Sequence, residues 1–246
     1  PGIDDPTAGS AACIFLGTHK GVAHFALDVS HLENPETEGP LAGIGTFPDL
    51  RNIAHTLDPE DAAILAQGKS MLDWNLRHQH CAMCGRPTAI REGGFVRRCI
   101  ECDADHFPRT DPVVIGVVAQ EDHCLLGRGP GWPDNFYSCI AGFMEPGETM
   151  EAAFRREVFE ETAIKVGKVR YHSSQPWPYP ASLMIGVIAE AESRGITLDE
   201  DELVSAIWVD RATVKKILDG ERNDKLWLPP PVAIAHQLLK AWVREG

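Results

Sequence analysis

Residues 142–164 read GFMEPGETMEAAFRREVFEETAI, and this stretch decides the reading of the chain. Thr149 is placed to cap a helix opening at Met150, since its hydroxyl can take a free backbone N–H of the first turn. Phe154 and Val158 then share an apolar stripe that faces a core. Glu157, Glu160 and Glu161 lie on the flank of that stripe, within an arc of roughly 100°. Carboxylates that close repel one another, so a solvated acidic face or a bound cation has to account for them. Hard divalent cations such as Mg²⁺ take oxygen ligands and often bridge carboxylates to phosphate.

The neighbouring residues favour the cation. Gly142, Glu148 and the run Arg156-Glu157-Val158-x-Glu160-Glu161 resemble the Nudix box, G-x5-E-x7-R-E-U-x-E-E-x-G-U, where U is bulky and apolar. One position departs from it: Ala163 stands where the box has Gly. Leaving a helix through a left-handed backbone costs a non-glycine residue roughly 1 kcal/mol. The resemblance implies hydrolysis of a nucleoside diphosphate linked to another group. It makes Glu157 and Glu161 ligands of Mg²⁺ or Mn²⁺, with Glu160 joining them or acting as base. Arg156 and Glu148 would pair to hold the helix against its loop. The Ala141 carbonyl and Glu202, in a later acidic segment, would complete the metal set.

Upstream, Cys81-x-x-Cys84 and Cys99-x-x-Cys102 are separated by fourteen residues, with Gly93-Gly94 midway. Two such knuckles place four thiolates tetrahedrally, as in a closed structural Zn²⁺ site, which leaves no open position for catalysis. Cys13, Cys124 and Cys139 sit in apolar surroundings and read as buried hydrophobes. Seven cysteines is an odd number, and their pairing suits a reducing cytoplasm better than a disulfide framework.

Downstream, Ser174-Gln175-Pro176-Trp177-Pro178-Tyr179-Pro180-Ala181-Ser182 alternates three prolines, which cannot continue a helix or a central strand. This rigid extended segment presents an amide, an indole, a phenol and hydroxyls, a mix suited to gripping a flat polar ring. It resembles the SQPWPFPxS signature of NADH pyrophosphatases of the NudC type, with Tyr179 in place of Phe. The cysteine knuckles and the Leu228-Pro229-Pro230-Pro231 run fit the same family. That resemblance implies cleavage of NADH or NAD⁺ to AMP and nicotinamide mononucleotide, and removal of an NAD cap from RNA. It implies a homodimer, with Phe107 and Phe143 sandwiching the nicotinamide and Ala235 approaching the substrate. It also implies the fold class, α+β: a Nudix α/β/α sandwich with a mixed sheet, after a zinc ribbon and a small N-terminal α+β domain. The expected boundaries are 1–75, 76–110 and 111–246.

A net charge of −13 argues against general affinity for nucleic acid, which needs a basic face. No apolar run approaches the ~20 residues that span a bilayer. No signal peptide is visible, although the first residue is Pro1 rather than Met. Other substrates of the same chemistry, ADP-ribose or dinucleoside polyphosphates, remain alternatives, as does a sensor that binds nucleotides or nucleic acid without catalysis. The zinc reading has a direct check. Metal analysis of the purified protein is expected to find about one tightly held zinc per chain, and a zinc-free, stably folded chain would refute it.

Overall fold

The computed structural model describes residues 12–245. They form two compact units, one comprising the chain up to Thr110 together with Pro176–Ala181, the other Asp111–Gln175 and the chain from Ser182. Residues 176–181, which the sequence reading places in the third domain, therefore belong with the first unit. Among the described residues no helix is long and apolar enough to cross a membrane.

In the first unit β1 (Cys13–His19) and β2 (Val22–Leu27) form an antiparallel hairpin. Lys20 and Gly21 both have positive φ, 51° and 79°, the backbone that a tight hairpin turn requires. Then follow α1 (Leu50–Ile53) and α2 (Pro59–Arg77), the latter capped by the Asp58 side chain on the Glu60 N–H. Met71 of α2 packs on Ala12 and Ile14. Next come β3 (Thr88–Arg91), β4 (Val96–Cys99) and the two-residue β5 (Asp105–His106), a three-stranded sheet carrying the cysteine knuckles. Buried Arg97 ties that sheet to α2, donating to Thr88 Oγ1 and Thr88 O and to both Asn75 O and Asn75 Oδ1.

The second unit is a sheet covered on both faces. Its strands are β6 (Asp111–Gln120), β7 (His123–Arg128), β8 (Ile140–Phe143), β9 (Val166–Trp177, whose last two residues count with the first unit), β10 (Ser182–Ala191) and β11 (Ser205–Asp210). They run in the order β11-β7-β6-β10-β9, with β8 paired to β6. The sheet is mixed, since β10 runs parallel to β6 while β7 and β8 run antiparallel to it. β9 is an edge strand, where Pro176 can lack its N–H without breaking a ladder.

Strand alternation sends successive β6 residues to opposite faces. Val114 and Val118 join Ala153, Phe154 and Val158 of α3 (Met150–Thr162), whereas Ile115 and Val117 join the layer of α4 (Arg211–Leu218) and α5 (Ile234–Arg244). Gly116 lets α3 approach closely. A Cβ there would lie 2.5 Å from both Phe154 Cζ and Val187 Cγ2.

Thr149 caps α3 by accepting from the Ala152 N–H at 3.3 Å, and the helix ends through Ala163 at φ 58°, ψ 12°. The left-handed exit survives without the glycine, at the steric cost a Cβ carries there. Ala163→Gly is accordingly expected to stabilise the protein by about 1 kcal/mol. A thermal melt is the check, and a rise of roughly 2–4 °C is expected for a chain of this size.

Candidate active site

The site is built where α3 meets β8. Phe154, Val158 and Glu161 lie on one face of α3, and that face is buried, so Glu161 is carried to the margin of the core with only 8% of its surface exposed. Glu157 reaches the β8 backbone at Gly142. A Cβ at Gly142 would fall 1.9 Å from Glu157 Cδ, so only glycine leaves room for this carboxylate.

Arg156 uses its whole donor fork. Nε and Nη2 donate to the two Glu148 oxygens at 2.7 and 2.8 Å, Nη1 to Glu157 at 2.8 Å and to Glu160 at 2.9 Å, and Nη2 also to the Phe143 carbonyl at 2.9 Å. The Arg156 guanidinium, with help from the Glu145 N–H, pulls the Glu148 carboxyl down to about 2. Burial pushes Glu157 above the usual carboxylate range in spite of Arg156.

Glu161 differs from these. Burial, and then the negative charges of Glu157, Glu202, Asp199 and Glu160, push its carboxyl up to about 8. Arg156 bonds the other three box glutamates but not this one. Glu161 shares a cleft of about 180 Å³ with Ala141, Glu202, Gly127, Gly129, Trp132 and Leu203. A buried, uncompensated carboxylate beside further oxygen donors fits a hard divalent cation, and Glu161, Glu202 and the Ala141 backbone, which line the cleft, together with Glu157 are the residues that could hold one. The carboxylates are not drawn into a cage, however. Among the described residues only the cysteines place three or more ligand atoms all within 4.8 Å of one another.

Those four sulfurs fit zinc. Sγ of Cys84 and Cys99 are 3.5 Å apart and those of Cys81 and Cys102 3.7 Å. A tetrahedron with Zn–S bonds of about 2.3 Å has edges of about 3.8 Å. The Cys102 N–H, working against burial and aided by the Glu101 N–H, draws the Cys99 thiol down to about 7. His106 Nε2 sits 3.3 Å from Cys81 Sγ, a contact the spacing of the cysteines gave no reason to expect.

The remaining predicted positions divide. Phe143 is exposed on β8, and Phe107 is exposed in the first unit. The Gln175 amide is spent on backbone, donating to Val232 O and accepting from the Ile234 N–H, both at 2.8 Å, so it fixes the start of α5. Ala235 lies on the buried face of that helix, packed into the core. Pro176 to Ala181 are held within the first unit: Trp177 meets Tyr179 edge-on, Arg51 lies 4.2 Å from the centre of the Tyr179 ring, and Ser70 donates to Pro180 O. Pro178 and Ser182 are buried, Ala181 is half-buried, and Pro176 and Pro180 are exposed. Trp132, Gly127, Gly129 and Leu203 were not singled out from the sequence. The Gly- and Pro-rich run 128–134 holding a single Trp was the available signal.

Family models match as a NADH pyrophosphatase-like rudimentary NUDIX domain over residues 2–74, a NADH pyrophosphatase zinc ribbon domain over 76–107 and a NUDIX domain over 109–229. The chain is 44% identical over 198 residues to the human NAD-capped RNA hydrolase NUDT12, covering 76% of this chain but 43% of that protein. The match thus spans less than half the length of that relative. Human mitochondrial NAD(P)H pyrophosphatase NUDT13 is 35% identical, with 91% and 68% covered. The NAD-capped RNA hydrolase NudC of Chromobacterium violaceum is 33% identical, with 96% and 83% covered. A solved NUDIX hydrolase from Nitrosomonas europaea shares the fold at a TM-score of 0.53 and 18% identity, covering 68% of this chain and 91% of its own.

The charge on Glu161 generates a test. The folded chain holds a proton on Glu161 up to about pH 8, whereas a free carboxyl loses it near 4.5. Between those values the native state binds the extra proton, so stability falls as pH rises. Without added divalent ions, Glu161→Gln is expected to melt above the wild type, with a gap that opens above pH 4.5, widens to about 8 and then levels off. Saturating Mg²⁺ should close it. Parallel melting curves across the whole range would contradict the buried charge.

Proposed function

The chain belongs to the NADH pyrophosphatase branch of the Nudix hydrolases, and from that premise we propose that it hydrolyses the pyrophosphate of NADH or NAD⁺ to AMP and nicotinamide mononucleotide. We extend the reading to the same bond at an NAD-capped RNA 5′ end. The observation that carries it is the buried Glu161 carboxylate, crowded by Glu157 and Glu202 and lining the cleft on the side that the Arg156 fork does not reach.

Mg²⁺ or Mn²⁺ bound there would neutralise the pyrophosphate and activate the attacking water. In this reading Glu157, Glu161 and Glu202 hold the ions together with the Ala141 backbone. Glu160, more exposed and bonded only to Arg156, joins them or takes the proton from water. Arg156 and Glu148 keep the helix, the loop and the Phe143 carbonyl in one geometry. Phe143 and Phe107 grip the nicotinamide, and Gln175 sets the C-terminal helix. Trp177, Tyr179 and their prolines shape the recognition segment. The same reading includes a homodimer working in a reducing cytoplasm, where four zinc thiolates keep their form.

The test supplies NADH, NAD⁺, ADP-ribose and NAD-capped RNA under identical conditions and compares kcat/KM. AMP release from the dinucleotides, faster than from ADP-ribose, is expected. Glu161→Gln removes a charge with little change of shape, and should lower kcat by roughly 10²-fold or more while substrate affinity falls less. A variant retaining near-full turnover would remove Glu161 from the mechanism. Binding of NADH without AMP release would make the chain a sensor.

A further inference from the structure

We propose that Trp132 is the surface on which the adenine of the dinucleotide stacks, a specificity-determining contact in the cleft that contains Glu161 and Glu202. The proposal rests on the pyrophosphatase reading and adds which base goes where.

Trp132 is the one aromatic side chain lining this cleft. It leaves 42% of its surface to solvent, where burial would be favourable for so large an apolar group. Its position is nonetheless fixed. Phe136 meets the indole edge-on at 5.1 Å between ring centres. Gly129 lies under the ring, where a Cβ would come within 3.5 Å of Trp132 Cε2. Backbone hydrogen bonds hold the loop, the Phe136 N–H donating to Pro133 O at 3.0 Å and the Trp132 N–H to Gly129 O at 3.4 Å, while the exposed Arg128–Asp134 pair adds little. Pro130 and Pro133 restrict it further. A rigid aromatic face costs little ordering entropy when a ligand lands on it.

The chemistry of the cleft selects the ligand. Glu161 and Glu202 mark where a metal-bound pyrophosphate would lie, and Trp132 lines the same cleft, on the side open to a flat group joined to that pyrophosphate. Phe143, to which the nicotinamide is assigned, does not line this cleft. A dinucleotide has two bases, and the adenine is the one left over. Its fused rings also overlap a fused indole more fully than the single nicotinamide ring does.

AMP and nicotinamide mononucleotide are titrated separately, by calorimetry with Mg²⁺ present, into the wild type, Trp132→Leu and Trp132→Phe. Leu keeps apolar bulk against Phe136 but offers no π face. The expected result is about tenfold weaker AMP binding for Trp132→Leu, near-normal binding for Trp132→Phe, and unchanged nicotinamide mononucleotide affinity in both. In turnover, KM for NADH should rise in Trp132→Leu with a smaller change in kcat. Equal losses for both mononucleotides, no loss of AMP binding, or no AMP binding to the wild type would each overturn the adenine site. Failure of the enzyme reading looks different: AMP binds as described, yet NADH stays intact.

Discussion

Arg156 makes five hydrogen bonds, and the geometry of the site depends on all of them. Its fork joins the loop before α3 through Glu148, the strand β8 through the Phe143 carbonyl, and the helix itself through Glu157 and Glu160. A guanidinium suits this because its donors are planar and fixed, so one side chain sets three backbone segments at once. Lysine could supply the charge but not the shape. The arrangement also divides the acidic residues. Three glutamates are compensated by Arg156, and Glu161, on the buried side of the helix, is left for another cation.

That division is only possible because two glycines let the layers close. Gly116 brings the sheet against Phe154, which seats α3, and Gly142 opens the room that Glu157 fills. A methyl group at either position would push the helix or its carboxylate away from β8. Packing and chemistry are thus linked through the same short contact. Phe154 and Val158 anchor the apolar face, and the carboxylates follow on its flank and margin.

The zinc knuckles serve a different purpose. Four cysteines leave no open coordination position, and Arg97 buries a guanidinium against Thr88 and Asn75 to join their sheet to α2. A small unit with few fully buried apolar side chains gains from such a clasp, since its core alone offers limited hydrophobic stabilisation. Tyr179 and Pro180 are grasped within this unit by Arg51 and Ser70, so the proline segment owes its conformation to residues far earlier in the chain.

Spacing along a few residues was enough to specify the helix of the box, its Thr149 cap and the cysteine clasp. The sequence also named the family, since the box and the proline segment are read in order. Other features needed the folded chain. That Glu161 is buried while Glu160 is exposed follows from where the sheet lies, not from the E-x-x-E-E pattern. The Gln175 amide looked like a ligand for substrate and proved to be tied to Val232 and Ile234, more than fifty residues away. Trp132 became visible only when the loop after β7 was brought beside Glu202, seventy residues on. Local periodicity records which face a residue is on. Only tertiary packing decides what stands opposite that face, and the charge, burial and reach of each side chain depend on the answer.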